Sequence, residues 1–405
     1  MAAPNATGVF KQVAYKREVT FGTIPVASAA QLLRRVQFTV DLSKDTYQSN
    51  EIRPDLQISD YRHGVRRVKG SLQGELSPGT YADFFAIAMK RDFTAGVAIS
   101  AASITIAGTG PTYTLTRAAG SYLTDGFKIG DVIRLSVGTF NAANITKNLW
   151  ITALTATVAT VMVLNASALV AEGPITSATV TVFGKKTYIP TTGHTDLSMS
   201  MEPWFNDISQ SEVYSGVKVD KIALNLPPTG MATAQMDLMG QNITTAAVRY
   251  FTSPTAITTT GVLAAVNGLL MVNGVAYAIV TGLSINIDPG FTDAPVVGSN
   301  IVPTLFPGPV MVTGQFTAYF VDNILRDLFV NETESSLQVC LSADNTAASN
   351  FIAFTLPRIK LGGQQKSDGT GGIIQTFPFT ALINNNGGAG TTGEQTTVVC
   401  QDSAA

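Results

Sequence analysis

Charge is what this sequence of 405 residues has least of. Asp, Glu, Lys and Arg make up 13% of it, about half the share of an average globular chain. The net charge of −2 gives no reason to expect a basic groove for nucleic acid. Cysteine is nearly absent. Cys340 and Cys400 are too few for a disulfide framework, which leaves either one bridge or two idle buried thiols. The two histidines, His63 and His194, lie far apart and in no metal-ligand spacing, and no Cys/His cluster resembles a zinc site. No phosphate-binding G-x-x-x-x-G-K-[ST] occurs. Met1 to Phe10 lacks the charged-then-apolar signature of a signal peptide. A surface so poor in charge is sticky when bare, and suits a protein covered by copies of itself.

One uncharged, apolar stretch, Gly261 to Leu283, is long enough to span a membrane. Asn267-Gly268 and Asn273-Gly274 interrupt it, however. Asn-Gly favours two-residue hairpin turns because both central residues need positive φ. The expectation is three strands, Val262 to Val266, Leu269 to Val272 and Val275 to Val280, with no membrane span.

What the chain does have is a repeat. Val36, Phe38, Val40 and Asp41 match Leu283, Ile285, Ile287 and Asp288. After a variable loop, Val68, Gly70, Leu72 and Leu76 match Val312, Gly314, Phe316 and Phe320. Tyr81, Asp83, Phe84 and Phe85 then match Leu325, Asp327, Leu328 and Phe329. The first two blocks alternate apolar and polar residues, so each predicts a strand with one apolar face. Ser71, Gln73, Gln315 and Thr317 are candidates for its polar face. The third block has helical spacing, with Ser77 as cap and Pro78 at the first helical position in one copy, and Asp322 as cap in the other. Each helix is expected to pack on the apolar side of its sheet. Leu197, Met199 and Met201 further resemble Leu337, Val339 and Leu341, and Lys221 to Leu224 resembles Arg358 to Leu361.

The fold class expected is therefore mainly β. It comprises two tandem β-sandwich or half-barrel domains, each with a flanking helix, plus a small inserted β domain. The first domain runs over 1–99 and 188–243, the insert over 100–187, and the second domain over 244–405. The insert carries strand-like runs at Ser103–Ile106, Val132–Val137, Trp150–Leu154 and Val158–Leu164, and Gly126 to Asp131 reads as a turn leading into a strand. Insertions survive at exposed loop tips, so it should project outward.

Nothing points to catalysis or a cofactor. Gly388 to Gly393 matches the dinucleotide fingerprint in letters only, because no helix can follow it and a flexible loop is the better reading. Acidic pairs such as Asp41 with Asp45, or Asp322 with Asp327, are not distinguishable from caps and solvated surface. The charge that exists is concentrated in one loop, as Lys44, Asp45, Glu51, Arg53, Asp55, Asp60, Arg62, Arg66, Arg67 and Lys69. It reads either as a solvated loop or as a docking arm pairing with opposite charges on a neighbouring subunit. The corresponding loop of the second copy, Pro289 to Pro309, holds only Asp293 and is stiffened by Pro295, Pro303 and Pro307. The two loops are expected to meet different surfaces, or one surface differently.

Ala14 to Thr23, Ser49 to Arg53, Gln57 to Asp60, and Arg62-His63-Gly64 through Gly74-Glu75-Leu76 resemble a family of major tail tube proteins of long-tailed, siphovirus-type bacteriophages. The resemblance is strongest over 8–92. Gly126 to Asp131, with Ile151-Thr152-Ala153, is similar to an insert found in such proteins, and the second half is similar mainly through the repeat. The resemblance implies a non-enzymatic virion protein of the phage tail, assembled in the host cytoplasm. It implies two packed sheets with a flanking helix, subunits that join inner sheets into a ring, and rings stacked into a hollow tube. Its partners would be itself, other tail components, and viral DNA passing through the lumen without sequence-specific binding. The loop from Lys44 to Lys69 would hold neighbouring subunits and rings together. Single-domain tube proteins commonly form six-membered rings, so two such domains per chain imply a homotrimer with pseudo-sixfold symmetry. Two other readings stand beside this one. One is a carbohydrate- or receptor-binding adhesin using the insert, with Trp150 and Tyr122 as aromatic contacts. The other is a cell-envelope hydrolase.

Overall fold

The computed structural model describes residues 5–165, 168–277, 279–368 and 370–405. The chain is mainly β, with two short α-helices among the described residues, α1 (Ala82–Met89) and α2 (Ile324–Val330).

In the first half, the strand pieces Gln37–Phe38 and Asp41–Gln48 fold back on Tyr61–Glu75, with Phe38 opposite Leu72. Tyr61–Glu75 pairs next with Thr233–Gly240, and that strand with the second part of Gln210–Leu226. The first part of Gln210–Leu226 pairs with Met199–Phe205. In the second half, Val280–Asp288 pairs with Met311–Tyr319, which pairs with Ile374–Ala381, which pairs with the end of Phe351–Leu361. The start of Phe351–Leu361 pairs with Ser335–Ser342. The same antiparallel order thus occurs in both halves. Gln210–Leu226 also pairs with Val280–Asp288, Leu224 opposite Ile285, so the halves share one sheet.

The matched glycines of the repeat have a common job. A Cβ on Gly70 would lie 2.4 Å from the Cα of Val40, and one on Gly314 would lie 2.1 Å from the carbonyl oxygen of Ser284. Both let the preceding strand approach the backbone closely. The hairpin registers differ, however. The repeat, applied to Phe316 opposite Leu283, would set Leu72 opposite Val36, whereas Leu72 faces Phe38. An offset of two residues leaves every side chain on its own face, so apolar alternation is blind to it. Leu72, Met236, Ile222, Leu224, Ile285, Phe316 and Phe377 face the core. Ser71, Gln73, Gln315 and Thr317 alternate with them and lie on the opposite, solvent-facing side.

Ser77 is not the cap of α1. Its hydroxyl lies 2.6 Å from that of Thr80 in a turn, and the helix starts after Tyr81. Gly79, at φ +74°, cannot continue a right-handed helix, so Pro78 belongs to the turn. Phe84, Phe85 and Ala88 are buried as expected, but so are Ala86, Ile87 and Met89, because α1 is enclosed on all sides. At α2 the Asp322 carboxylate accepts the N–H of Ile324 at 2.9 Å, although Asn323 is the residue at the helix boundary. Of α2 only Leu325 is buried.

The stretch from Gly261 to Leu283 holds three strand pieces, Gly268–Val272, Val275–Ala276 and the start of Val280–Asp288; the strand expected over Val275 to Val280 stops at Ala276, and Ala278 lies outside the described residues. Gly268–Val272 and Val275–Ala276 form a hairpin whose turn residues Asn273 and Gly274 have φ of +53° and +75°. The expected strand Val262–Val266 does not form, since Ala265–Asn267 is a 3-10 turn and Asn267-Gly268 no hairpin. Among the described residues no helix is long and apolar enough to cross a membrane.

Six strands, Ala98–Gly108, Thr112–Arg117, Val132–Ser136, Leu149–Leu154, Val158–Val163 and Glu172–Val182, close into a separate barrel. Ile104, Leu115, Phe127, Leu135, Ile151 and Val180 fill it. Val132 and Trp150 point the other way, into a cluster with Met271, Cys340, Phe351 and Ala353 of the second half. Cys340 and Cys400 are free and buried, in different clusters.

Candidate assembly surfaces

The charged loop is the end of a long hairpin. Asp41–Gln48 and Tyr61–Glu75 form its legs and residues 49–60 its tip. The base is tied inside the chain. Arg67 forms ion pairs with Asp45 and, at 2.5 Å, with Asp293 of the second long loop. The Arg66 side chain donates to Asn242 at 3.0 Å and its backbone N–H to the Asn300 carbonyl at 2.9 Å. Val65, Phe291, Val302 and Leu305 pack beside these bonds. The two long loops therefore meet each other, which their sequences, read separately, could not reveal.

The tip has another character. Arg53 pairs with Asp55 and Arg62 with Asp60, both at 2.8 Å and both well exposed. These pairs join residues two apart, and such exposed pairs contribute little to stability. The bond from Arg53 holds the Asp55 carboxyl below its usual range, as the bond from Arg62 does for Asp60. Lys44 and Glu51 have no ion-pair partner among the described residues. Between the charges stand Ile52, Leu56 and Ile58, all exposed, Ile52 completely so. Reading the loop for charge alone passed over these apolar side chains, although they are plain in the sequence.

A second polar cluster fixes the barrel to the large sheet. The Lys186 ammonium lies 3.1 Å from Asp131 and 3.1 Å from Glu394, and all three side chains are nearly or fully buried. Burial alone would lower the Lys186 pKa, but the two carboxylates outweigh it and hold the amine charged, above its ordinary value. Lys128 donates to the carbonyls of Gly388 and Thr391, at 2.5 and 2.8 Å. The Gln401 amide both accepts from and donates to the backbone of Val132, at 2.8 Å each. The glycine-rich segment that mimics a dinucleotide fingerprint is thus a pinned loop, not a flexible one, and no helix follows it.

Val399–Asp402 lies between Lys185–Tyr188 and the start of Phe351–Leu361, pairing with both. Asp402 accepts the N–H groups of Gly79 and Ala404 at 2.8 Å each, yet burial pushes its pKa up to about 6 from an ordinary 3.8. Between those values the folded chain keeps a proton that the unfolded chain gives up. Stability is therefore expected to fall as pH rises from about 4 to 6, by about 3 kcal/mol. Asp402→Asn should flatten that part of the stability–pH profile, and an unchanged slope in denaturant titrations would refute the assignment.

Trp150 and Tyr122, the aromatic contacts an adhesin would need, are completely buried. Trp150 donates its indole N–H to the Gly130 carbonyl at 2.9 Å. The histidines are not brought together: His63 meets Tyr61 edge-on in the arm, and His194 lines a shallow depression with Lys90 and Pro307. No cluster of metal-ligating side chains occurs among the described residues.

A comparison with curated proteins finds no match to the chain. A family model described as phage tail tube protein matches residues 11–381, nearly the whole length. That span contains the charged arm, the barrel and the shared sheet apart from Val399–Asp402. The chain belongs to the phage tail tube protein family.

Proposed function

We propose that this chain is the self-assembling unit of the tail tube of a siphovirus-type phage. Three copies close a ring of six tube units, and rings stack into a channel that delivers DNA to the host. The observation that carries this reading is the strand order repeated in both halves, joined by direct pairing of Leu224 with Ile285. It supports two tube domains, 1–99 with 188–243 and 244–405, and a barrel inserted at 100–187 that points outward. A sheet that closes on itself leaves no edge to aggregate, which answers how a chain so poor in charge stays dispersed.

The lumen is then the polar face, carrying Ser71, Gln73, Gln235, Asn225, Ser284 and Gln315 in neighbouring strands. Its charges are of both signs, with Lys69 and Lys221 near Asp237 and Asp288. Such a wall offers DNA no row of cations to hold its phosphates. The outer part of the arm, with Glu51, Arg53, Asp55 and Asp60 at its tip and Lys44 and Arg62 on its legs, reaches a neighbouring subunit or ring. Asp45, Arg66 and Arg67 set its angle from within the chain.

Electron microscopy with native mass measurement tests the proposal. Rings of about 128 kDa, three times the 42.6 kDa chain, are expected, along with stacks of such rings. A protein monomeric at every concentration would overturn it, and rings of six chains would overturn the threefold count. Burial of Trp150 and Tyr122 removes the two aromatic contacts on which the adhesin reading relied.

A further inference from the structure

We infer that the seam between neighbouring chains copies the seam inside the chain: Val36–Thr39 of one copy pairs antiparallel with Lys360–Gly363 of the next, Phe38 opposite Leu361. The inference rests on the ring proposed above and specifies its joint.

The internal seam sets Leu224 opposite Ile285 and Leu226 opposite Leu283. In the repeat, Leu224 corresponds to Leu361, Ile285 to Phe38 and Leu283 to Val36. Both halves of a second such seam therefore exist in one chain, at opposite ends of its sheet. Each has an open edge. Among the described residues Gln37–Phe38 pairs only with Tyr61–Glu75, and the residues following Ile359 in their strand pair only with Ile374–Ala381.

The backbone directions agree. Thr39 donates its N–H to Ser71, within its own sheet, so the N–H and carbonyl of Phe38 turn outward. Gly362 likewise donates to Pro378, which turns Leu361 outward. The side chains agree too: Phe38 and Leu361 both lie on the apolar face, 6% and 8% exposed, while Thr39 and Lys360 lie on the polar one. The Lys11 ammonium donates to the Phe38 carbonyl at 3.2 Å. A lysine on an open edge blocks unwanted pairing, and its flexible stem can yield to the Leu361 N–H.

The helices supply an independent observation. Phe85 of α1 and Phe329 of α2 are repeat equivalents. Phe85 is 1% exposed and packs on Phe354 of the second half, ring centres 5.7 Å apart. Phe329 is 41% exposed, next to Ile324 and Val330, and lies beside Gly363 on the open edge. Where the seam is made the helix is covered, and where it is open the helix is bare. A second copy of this chain covers both the edge and α2.

The test is disulfide trapping between Thr39→Cys and Lys360→Cys. In the proposed register these residues form a non-hydrogen-bonded pair, with Cα atoms close enough for a disulfide. Mild oxidation of assembled T39C/K360C should give covalent species up to trimers on a non-reducing gel, and neither single variant should. Trapping in D41C/K360C instead would overturn the register. Tubes visible by microscopy that trap in neither variant would overturn the seam and leave the tube reading standing. Absence of any wild-type assembly would overturn the tube reading itself. Hydrogen exchange on the wild-type protein needs no variant: the Phe38 and Leu361 amides should slow by on the order of tenfold or more on assembly. Unchanged exchange at both amides in tubes would overturn the seam.

Discussion

Lys186→Met is expected to destabilise the chain by about 3–5 kcal/mol, because it strips the partner from two buried carboxylates. Asp131 and Glu394 each lie 3.1 Å from the Lys186 ammonium, with side chains only 4% and 13% exposed. Without the lysine they face each other across a site that water scarcely reaches. Truncating one partner costs more than the pair contributes net, since the remaining charge must either stay desolvated or take up a proton. The triple variant Lys186→Met, Asp131→Asn, Glu394→Gln should therefore recover most of the loss. Urea unfolding followed by tryptophan fluorescence measures both effects, with Trp150 reporting from the same junction. A loss below about 1 kcal/mol in the single variant would mean the cluster is effectively solvated.

Trp150→Ala should cost about 3–5 kcal/mol, the range for emptying a large aromatic site. The loss falls in one place. Trp150 belongs not to the barrel core but to the cluster shared with Met271, Cys340, Phe351 and Ala353. The barrel's own core, around Ile104, Leu115, Phe127 and Ile151, is a separate cluster and should persist. The expected result is an intact barrel that undocks, read as faster proteolytic cleavage at the two connections near 97 and 183. Trp150→Phe, which keeps a smaller aromatic ring but loses the bond to the Gly130 carbonyl, should lose less. Uniform unfolding of barrel and sheet together would contradict this division.

Both predictions rest on contacts that no periodicity in the sequence reveals. Alternation was enough to read Val68 to Leu76 and Val312 to Phe320, because one face of each strand is buried and the other wet. Asn273-Gly274 was legible because its turn needs the backbone conformations these residues tolerate. Two barrel strands escaped. Thr112–Arg117 contributes only Tyr113 and Leu115 to the apolar pattern. Glu172–Val182 slips register three times against its neighbour, and each slip breaks the period of two. The apolar face of α2 was legible as a pattern, but nothing in a pattern says whether the chain itself supplies the cover. In the arm, mixed charge marked the segment correctly. It could not show that Arg67 turns back to Asp293, because that contact is set by the fold and not by spacing.

The strand Val399–Asp402 has a consequence for how the molecule comes together. Barrel contacts join residues within one short stretch of chain, so the barrel can fold as soon as Val182 is made. Lys185–Tyr188 finds Thr94–Ala95 on one side at once, but its other edge must wait for Val399–Asp402, near the far end of the chain. Through that interval one edge of Lys185–Tyr188 stands unpaired, and Lys186 has Asp131 but not Glu394. Loop closure over such a separation is slow, and exposed edges meanwhile invite the wrong pairing. Completion of this one strand acts as a clock. It seals the sheet, the barrel junction and the turn before α1 in a single step.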